Sequence, residues 1–342
     1  MENKKNLLVT LADKNYTEQA KQLFSSVYWN AGWKGDYMLL AHEIPEKDLK
    51  WFRDKGVLVK KCKPLYDKNI NGYSPVVLDK FYLFTPEFKK WKNIIYLDAD
   101  IIVRANLDEL TKVKGFASPK VLEKNQILNG YLIEDSDMYE EKKELKKTYN
   151  LRKSAFNSGV MAFSTDIINE KMFDKLYESF CINKRIISGE DPLINLMFYR
   201  KWKKISIAYD ILPRAIVQYL HIKPEKIEGI ILHFISKGEK EKPWHKENYF
   251  YSEWKSNIER ADLIDLTKIP MGKIWRDSQI CSYSFFLKIN FFLYPIKPFL
   301  AHLLISIKQL SDRLVGQIGI IIKYIKPELY NKIKRIINGY EK

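Results

Sequence analysis

"NIIYLDADIIV" (residues 93–103) places two aspartates, Asp98 and Asp100, inside an otherwise apolar run. The run is short, β-branched and preceded by the charged "FKKWK", which reads as a strand. Its apolarity on both faces points to a parallel α/β sheet covered on both sides. Along such a strand Asp98 and Asp100 point one way and Ala99 the other. Two neighbouring carboxylates in apolar surroundings repel each other and lose hydration, so they call for compensating positive charge. A divalent cation that favours hard oxygen ligands, manganese or magnesium, would supply it. The alternative is a pair that ends the strand at solvent and caps the next turn.

Outward from this run, strand and helix patterns alternate. Residues 6–12, 37–42 and 57–62 read as strands, and residues 17–29 and 45–55 as helices. "VVLDKFYLFTPEF" (76–88) reads as a helix leading into the aspartate-bearing strand. This rhythm predicts an α/β domain with a mostly parallel sheet, binding its ligand beyond the carboxyl ends of the strands. "LADKNY" (11–16) and "LDAD" (97–100) both lie at such ends. Residues 114–153 are polar and charged, with a helix expected over 138–149, and read as an insertion or lid rather than as core. Strands over 156–164 and within 227–236, the latter ending at His233, and helices over 166–180 and 192–199 complete the domain.

At 342 residues, with 14% aromatic side chains, the chain has material for one large globular domain and an appendage. Cys62, Cys181 and Cys281 lie far apart and form no C-x-x-C pair, which fits a reducing cytosol. The amino-terminal apolar run is too short for a secretion signal. The formal charge is +16, and residues 271–342 hold 12 Lys and Arg against 4 Asp and Glu, half of that excess. Such charge suits nucleic acid, an anionic membrane or acidic substrates. Here it sits in an apolar setting, which disfavours nucleic acid. Lys288, Lys297 and Lys308 interrupt the apolar segment 284–308, so no uncharged run approaches the roughly 20 residues of a spanning helix. Apolar and aromatic residues interleaved with lysine suit a helix lying in a membrane interface. A helical pair packed on the domain, or in a dimer, is the other reading. The expected organisation is a catalytic domain over 1–269 and a basic, aromatic-rich helical tail over 270–342. The protein is expected in the cytoplasm, peripheral on the inner face of a bacterial membrane.

Taken in order, "VTLADKNY", "LDKFYLF", "IIYLDADIIV", "FNSGVMAF", "GEDPLINLMF" and "HFISKGEKEKPW" make the chain resemble the retaining glycosyltransferases of family 8. That group includes glycogenin and the bacterial lipopolysaccharide galactosyl- and glucosyltransferases, and the resemblance runs over roughly residues 7–254. It implies a GT-A fold, a UDP-hexose donor (UDP-glucose or UDP-galactose), Mn²⁺ and a glycan or glycolipid acceptor. It assigns the metal to Asp98, Asp100 and His233. It also implies that Leu11, Ala12, Asp13, Asn15 and Tyr16 hold uracil and ribose. Lys80 and Ala99 would reach the donor, Asn157 and Ser158 its sugar. Gly238 and Lys242 would serve the diphosphate, although both stand further from His233 than in the family. The other histidines have no matching context.

One departure concerns the chemistry. Where relatives read D-Q-x-x-L-N, this chain has "GEDPLIN", so Glu190 takes the Asp place and Asp191 the Gln place near the anomeric carbon. A carboxylate at Asp191 would stabilise an oxocarbenium ion or attack it. Alternatively the register slips by one, and Asp191 plays the usual Asp role. Two other functions share some of these features. One is a nucleotide-sugar-binding protein without turnover. The other is a phosphatase with an aspartyl nucleophile, whose D-x-D normally lies in the first strand, whereas 97 residues precede Asp98 here.

Overall fold

The computed structural model describes residues 4–120, 128–133, 139–236, 238–294 and 327–328. Its strands are β1 (Leu7–Ala12), β2 (Asp36–His42), β3 (Leu58–Cys62), β4 (Asn93–Leu97), β5 (Ile101–Val103), β6 (Phe116–Pro119), β7 (Val160–Ser164), β8 (Lys203–Ile205) and β9 (Ile231–His233). The helices are α1 (Thr17–Ser26), α2 (Glu46–Asp54), α3 (Tyr139–Thr148), α4 (Met172–Asn183), α5 (Asp191–Met197), α6 (Pro213–Leu220), α7 (Tyr251–Glu259) and α8 (Asp277–Leu293).

The central sheet runs β3-β2-β1-β4-β7-β6-β8. Neighbours are parallel except at β7, which is antiparallel to both β4 and β6. Strand alternation explains why β1 is apolar throughout. Leu7, Val9 and Leu11 join Ile94, Tyr96 and Phe81 on one face, while Leu8 and Ala12 join Leu39, Ile95 and Leu23 on the other.

The run that suggested one strand is two. β4 ends at Leu97, residues 98–100 turn the chain, and β5 leaves the sheet to pair antiparallel with β9. The same-face argument for Asp98 and Asp100 is therefore replaced by a turn. The carboxylates stand where the covered sheet ends, not within it. Residues 76–88 are not an α-helix but 3-10 turns, Pro75–Phe84 and Pro86–Lys90, with Pro86 opening the second. Residues 166–180 begin in a 3-10 turn (Thr165–Ile167), and α4 starts only at Met172.

The segment read as a lid starts in the core. Phe116 and Ala117 in β6 pair with β7, and the Phe116 ring stacks on Phe198 with centroids 3.8 Å apart. Its charged helix, α3, does form, over Tyr139–Thr148.

One compact unit runs Met1–Lys288, so residues 270–288, assigned from the sequence to the tail, belong to it. Lys273 N–H donates to Asn30 O (2.7 Å), and α8 buries Ile280, Ser284 and Leu287. Of the second unit, Ile289–Lys342, only residues 289–294 and 327–328 are described, so most of the expected membrane-interface segment lies outside the described residues. Among the described residues no helix is long and apolar enough to cross a membrane.

Candidate functional site

A cleft of about 590 Å³ opens at the carboxyl ends of β1 and β4, within the range usual for small-molecule sites. Three acid and imidazole side chains converge in it. Asp98 and Asp100 come from the turn after β4, and His233 from the end of β9, where it pairs with Ile101. One ligand atom from each lies within 4.8 Å of the others, close enough to hold a metal ion. His233 Nε2 stands 3.3 Å from Asp100 Oδ1 and 3.9 Å from Asp98 Oδ2. Two carboxylate oxygens and an imidazole nitrogen suit manganese or magnesium better than a soft-ligand metal.

The surroundings fit this use. Gly159 faces the group, and a Cβ there would lie 2.3 Å from His233 Cε1 and 2.7 Å from Asp98 Oδ2. Only glycine leaves that room, which accounts for the "NSG" of the strand entry. Behind the imidazole, Asp210 Oδ1 lies 2.8 Å from Nδ1, so Nε2 is the nitrogen that faces the acids. Burial works against charge on His233, but Asp210 and Asp100 outweigh it and push its pKa up to about 10. Burial likewise opposes ionisation of Asp100, yet His233 and Lys242 hold its carboxyl below the usual carboxylate range.

Two buried lysines each meet one of these aspartates. Lys242 Nζ lies 2.7 Å from Asp100 Oδ2 and donates to Phe234 O (2.8 Å). Its irregular spacing from His233 does not keep it out of the site. Lys80 Nζ lies 2.9 Å from Asp98 Oδ1, 2.5 Å from Glu190 Oε1 and 3.0 Å from Ser158 Oγ. It is 3% exposed. Burial disfavours its charge, but Asp98, Glu190 and Asp191 hold the ammonium well above the ordinary lysine range.

Glu190 and Asp191 sit at the start of α5. Glu190 Oε1 also accepts from Ser158 Oγ (2.6 Å). Asp191 Oδ1 accepts from Ser158 N (2.6 Å) and Oδ2 from Asn157 Nδ2 (3.1 Å), so both its oxygens are engaged. Burial first, then Glu190, push its carboxyl up to about 7. One turn on, Asn195 exchanges two hydrogen bonds with the Phe156 backbone (3.0 and 2.8 Å). That pair clamps α5 to the strand entry carrying Asn157 and Ser158.

The first loop forms the opposite wall. Asp13 caps its own turn, accepting from Asn15 N (2.9 Å) and Tyr16 N (3.1 Å). Tyr16, pushed up to about 12 by burial and by Asp100, meets Trp244 edge-on at 5.9 Å. Of the residues singled out in the sequence, Leu11, Ala12, Asp13, Tyr16, Lys80, Asp98, Ala99, Asp100, Asn157, Glu190, Asp191, His233 and Lys242 line the cleft. Asn15, Ser158 and Gly238 do not. Sequence reasoning missed Asp210, Tyr73, Gly130, Tyr131, Ser188 and Arg214. Only Arg214, directly after a proline that opens a helix, carried a local signal, as a cation at a helix start.

Galactinol synthase 5 of Arabidopsis thaliana is 24% identical over 301 residues, covering 81% of this chain and 79% of that protein. Galactinol synthase 1 of Solanum lycopersicum is 25% identical over 242 residues, 66% of this chain and 67% of that one. Among solved structures, the apo bifunctional glycosyltransferase WbbM matches with a TM-score of 0.57 and 14% identity, over 77% of this chain and 52% of that one. The galactosyltransferase LgtC, in complex with donor and acceptor sugar analogues, matches with a TM-score of 0.56 and 15% identity, over 77% and 97%. These two likenesses give the fold, the mostly parallel GT-A sheet flanked by helices. The profile of Glycosyl transferase family 8 matches residues 7–248, and on that match the chain belongs to glycosyltransferase family 8.

Proposed function

We propose that the protein is a retaining hexosyltransferase that moves galactose or glucose from a UDP-sugar to a glycan or glycolipid. Asp98, Asp100 and His233 would hold Mn²⁺, with Mg²⁺ as the other candidate. The observation that carries the reading is the meeting, in one cleft, of these three side chains with two buried lysines. It is a setting for a diphosphate. When bound, the ion would offset charge developing on the leaving UDP.

The chain's own residues then have distinct tasks. Leu11, Ala12, Asp13 and Tyr16 frame the base and ribose. Lys242 leaves Asp100 for the β-phosphate, and Lys80 keeps Glu190 and Asp98 in place beside the sugar. Asn157 and Glu190 offer hydrogen bonds to sugar hydroxyls. Both oxygens of Asp191 are held by N–H groups, which favours a carboxyl fixed in place as an electrostatic stabiliser of the anomeric carbon over a covalent nucleophile. Retention would follow from same-face attack. The bond from C1 to the UDP oxygen breaks, the acceptor oxygen bonds C1 on that face, and its proton passes to a β-phosphate oxygen. Galactose is the favoured hexose, since the relatives include galactinol synthases and the fold neighbours a galactosyltransferase.

The acceptor is proposed to be a lipid-linked bacterial glycan. The basic, aromatic-rich part of the tail beyond the compact unit, residues 289–342, would hold the enzyme on the anionic inner face of a membrane. The direct test is UDP release, without acceptor, from a panel of UDP-sugars in Mn²⁺. One donor should be cleaved slowly and the signal should vanish with EDTA. UDP binding with no cleavage, even with glycans added, would favour a nucleotide-sugar-binding protein.

A further inference from the structure

We propose that the cleft continues into a second saccharide subsite, a groove of about 540 Å³ between α6 and the segment before α7, which receives the second ring of an acceptor glycan. This rests on the glycosyltransferase reading of the cleft.

Arg214, Ile235 and Ser236 line both the cleft and the groove, so the two form one continuous path. Side-chain contacts cross the neck between them. Glu241 accepts from Ser236 Oγ and lies 3.2 Å from Arg214 Nη1. The stretch after β9 that holds Ser236 and Glu241 also brings Lys242 into the cleft. A chain of sugar rings whose first member sits beside Asp191 would therefore leave over Arg214 and Ile235.

The walls of the groove suit a pyranose. Val217 on α6 and Ile235 after β9 are each 39% exposed, and Tyr249 is 55% exposed. Tyr249 is braced edge-on against Phe250 (5.1 Å), which meets Phe234 (5.4 Å). A braced, exposed tyrosine offers a flat apolar face with a polar end, the complement of a ring with a C–H face and hydroxyl edges. Gln218 and Asn248 supply polar groups along the rim. The charges are already matched: Lys240 with Glu247 (2.7 Å) and Arg214 with Glu241 (3.2 Å). An acyl chain would leave the polar rim facing hydrocarbon, and an anion would meet two carboxylates. A neutral sugar meets neither difficulty.

The test uses the full chain with Mn²⁺ and UDP-galactose, and matched galactose- and glucose-terminated acceptors of one, two and three rings. Two rings should be used at least about tenfold better than one in kcat/KM, the scale of one well-packed contact. Tyr249→Ala and Val217→Asp should each remove that advantage through KM. Both should leave acceptor-free UDP release and one-ring transfer unchanged. Equal use of one and two rings, an advantage intact in both variants, or no transfer at all while acceptor-free release continues would each overturn the subsite. Loss of acceptor-free release in the wild type would instead strike the reading of the cleft itself, and the subsite with it.

Discussion

Asp210 Oδ1 lies 2.8 Å from His233 Nδ1, and both side chains are buried, 1% exposed each. The contact fixes which imidazole nitrogen looks into the cleft. Asp210 touches none of the acids, so it is a positioning residue. Its removal should weaken metal binding about ten- to a hundredfold, the usual scale for such partners. Asp210→Ala should therefore need more Mn²⁺ for half-maximal UDP release and recover near-normal rates at saturation. An unchanged Mn²⁺ requirement would contradict this role.

Lys80 is the only cation that the described contacts place between Asp98 and Glu190. Lys80→Gln would remove the ammonium from buried Glu190 and half-buried Asp98, with Asp191 close by. The expected cost is about 3 kcal/mol of unfolding free energy without metal, as for other broken buried pairs. Saturating Mn²⁺ should return part of it, because the ion binds the folded chain and not the unfolded one. Urea titrations of both proteins, with EDTA and with Mn²⁺, measure the two effects. Equal stability in EDTA would refute the pairing.

Gly159→Ala would bring a methyl to 2.3 Å from the His233 ring. The imidazole must shift, and misplacing a catalytic group by about an ångström costs on the order of a hundredfold in rate. The residue lies at a strand entry, so a folded protein with normal circular dichroism and that rate loss is expected. Wild-type turnover would mean the ring has more room than the structure gives it.

Asp191 titrates near 3.8 in an unfolded chain and at about 7 when folded, chiefly through burial. Between those values the folded chain holds more protons, so this group makes stability fall as pH rises from about 4 to about 7. In EDTA, Asp191→Asn should flatten that fall, read as urea midpoints at about pH 5 and about pH 8. An unaltered slope would show that the carboxyl is ionised throughout.

Much of the site was legible because its chemistry sits in short motifs. Asp98 and Asp100 stand out as two acids in an apolar run, and His233 as the first residue of the last motif that resembles family 8. The break between Leu97 and Ile101 was not legible: β5 is as apolar as β4, and only its pairing with β9 draws it out of the sheet. Asp210 was invisible for a related reason. It reaches His233 because Ile211 bridges Leu232, a contact between segments with no shared pattern. The 3-10 turns over residues 75–90 have helical spacing in sequence but are split at Pro86. Phe116 read as lid because its neighbours are polar, yet the rings of Phe163 and Phe198 fix it in the core.

On the reading proposed above, Asp98, Asp100 and His233 bind a divalent ion that in turn secures a uridine diphosphate. Calorimetric titration of UDP into the full chain, with and without Mn²⁺, tests it most directly. One UDP per chain should bind, at least about tenfold tighter with Mn²⁺ than with EDTA. That difference should vanish in Asp100→Ala. UDP binding that ignores Mn²⁺, or that gains equally from it in Asp100→Ala, would contradict the account.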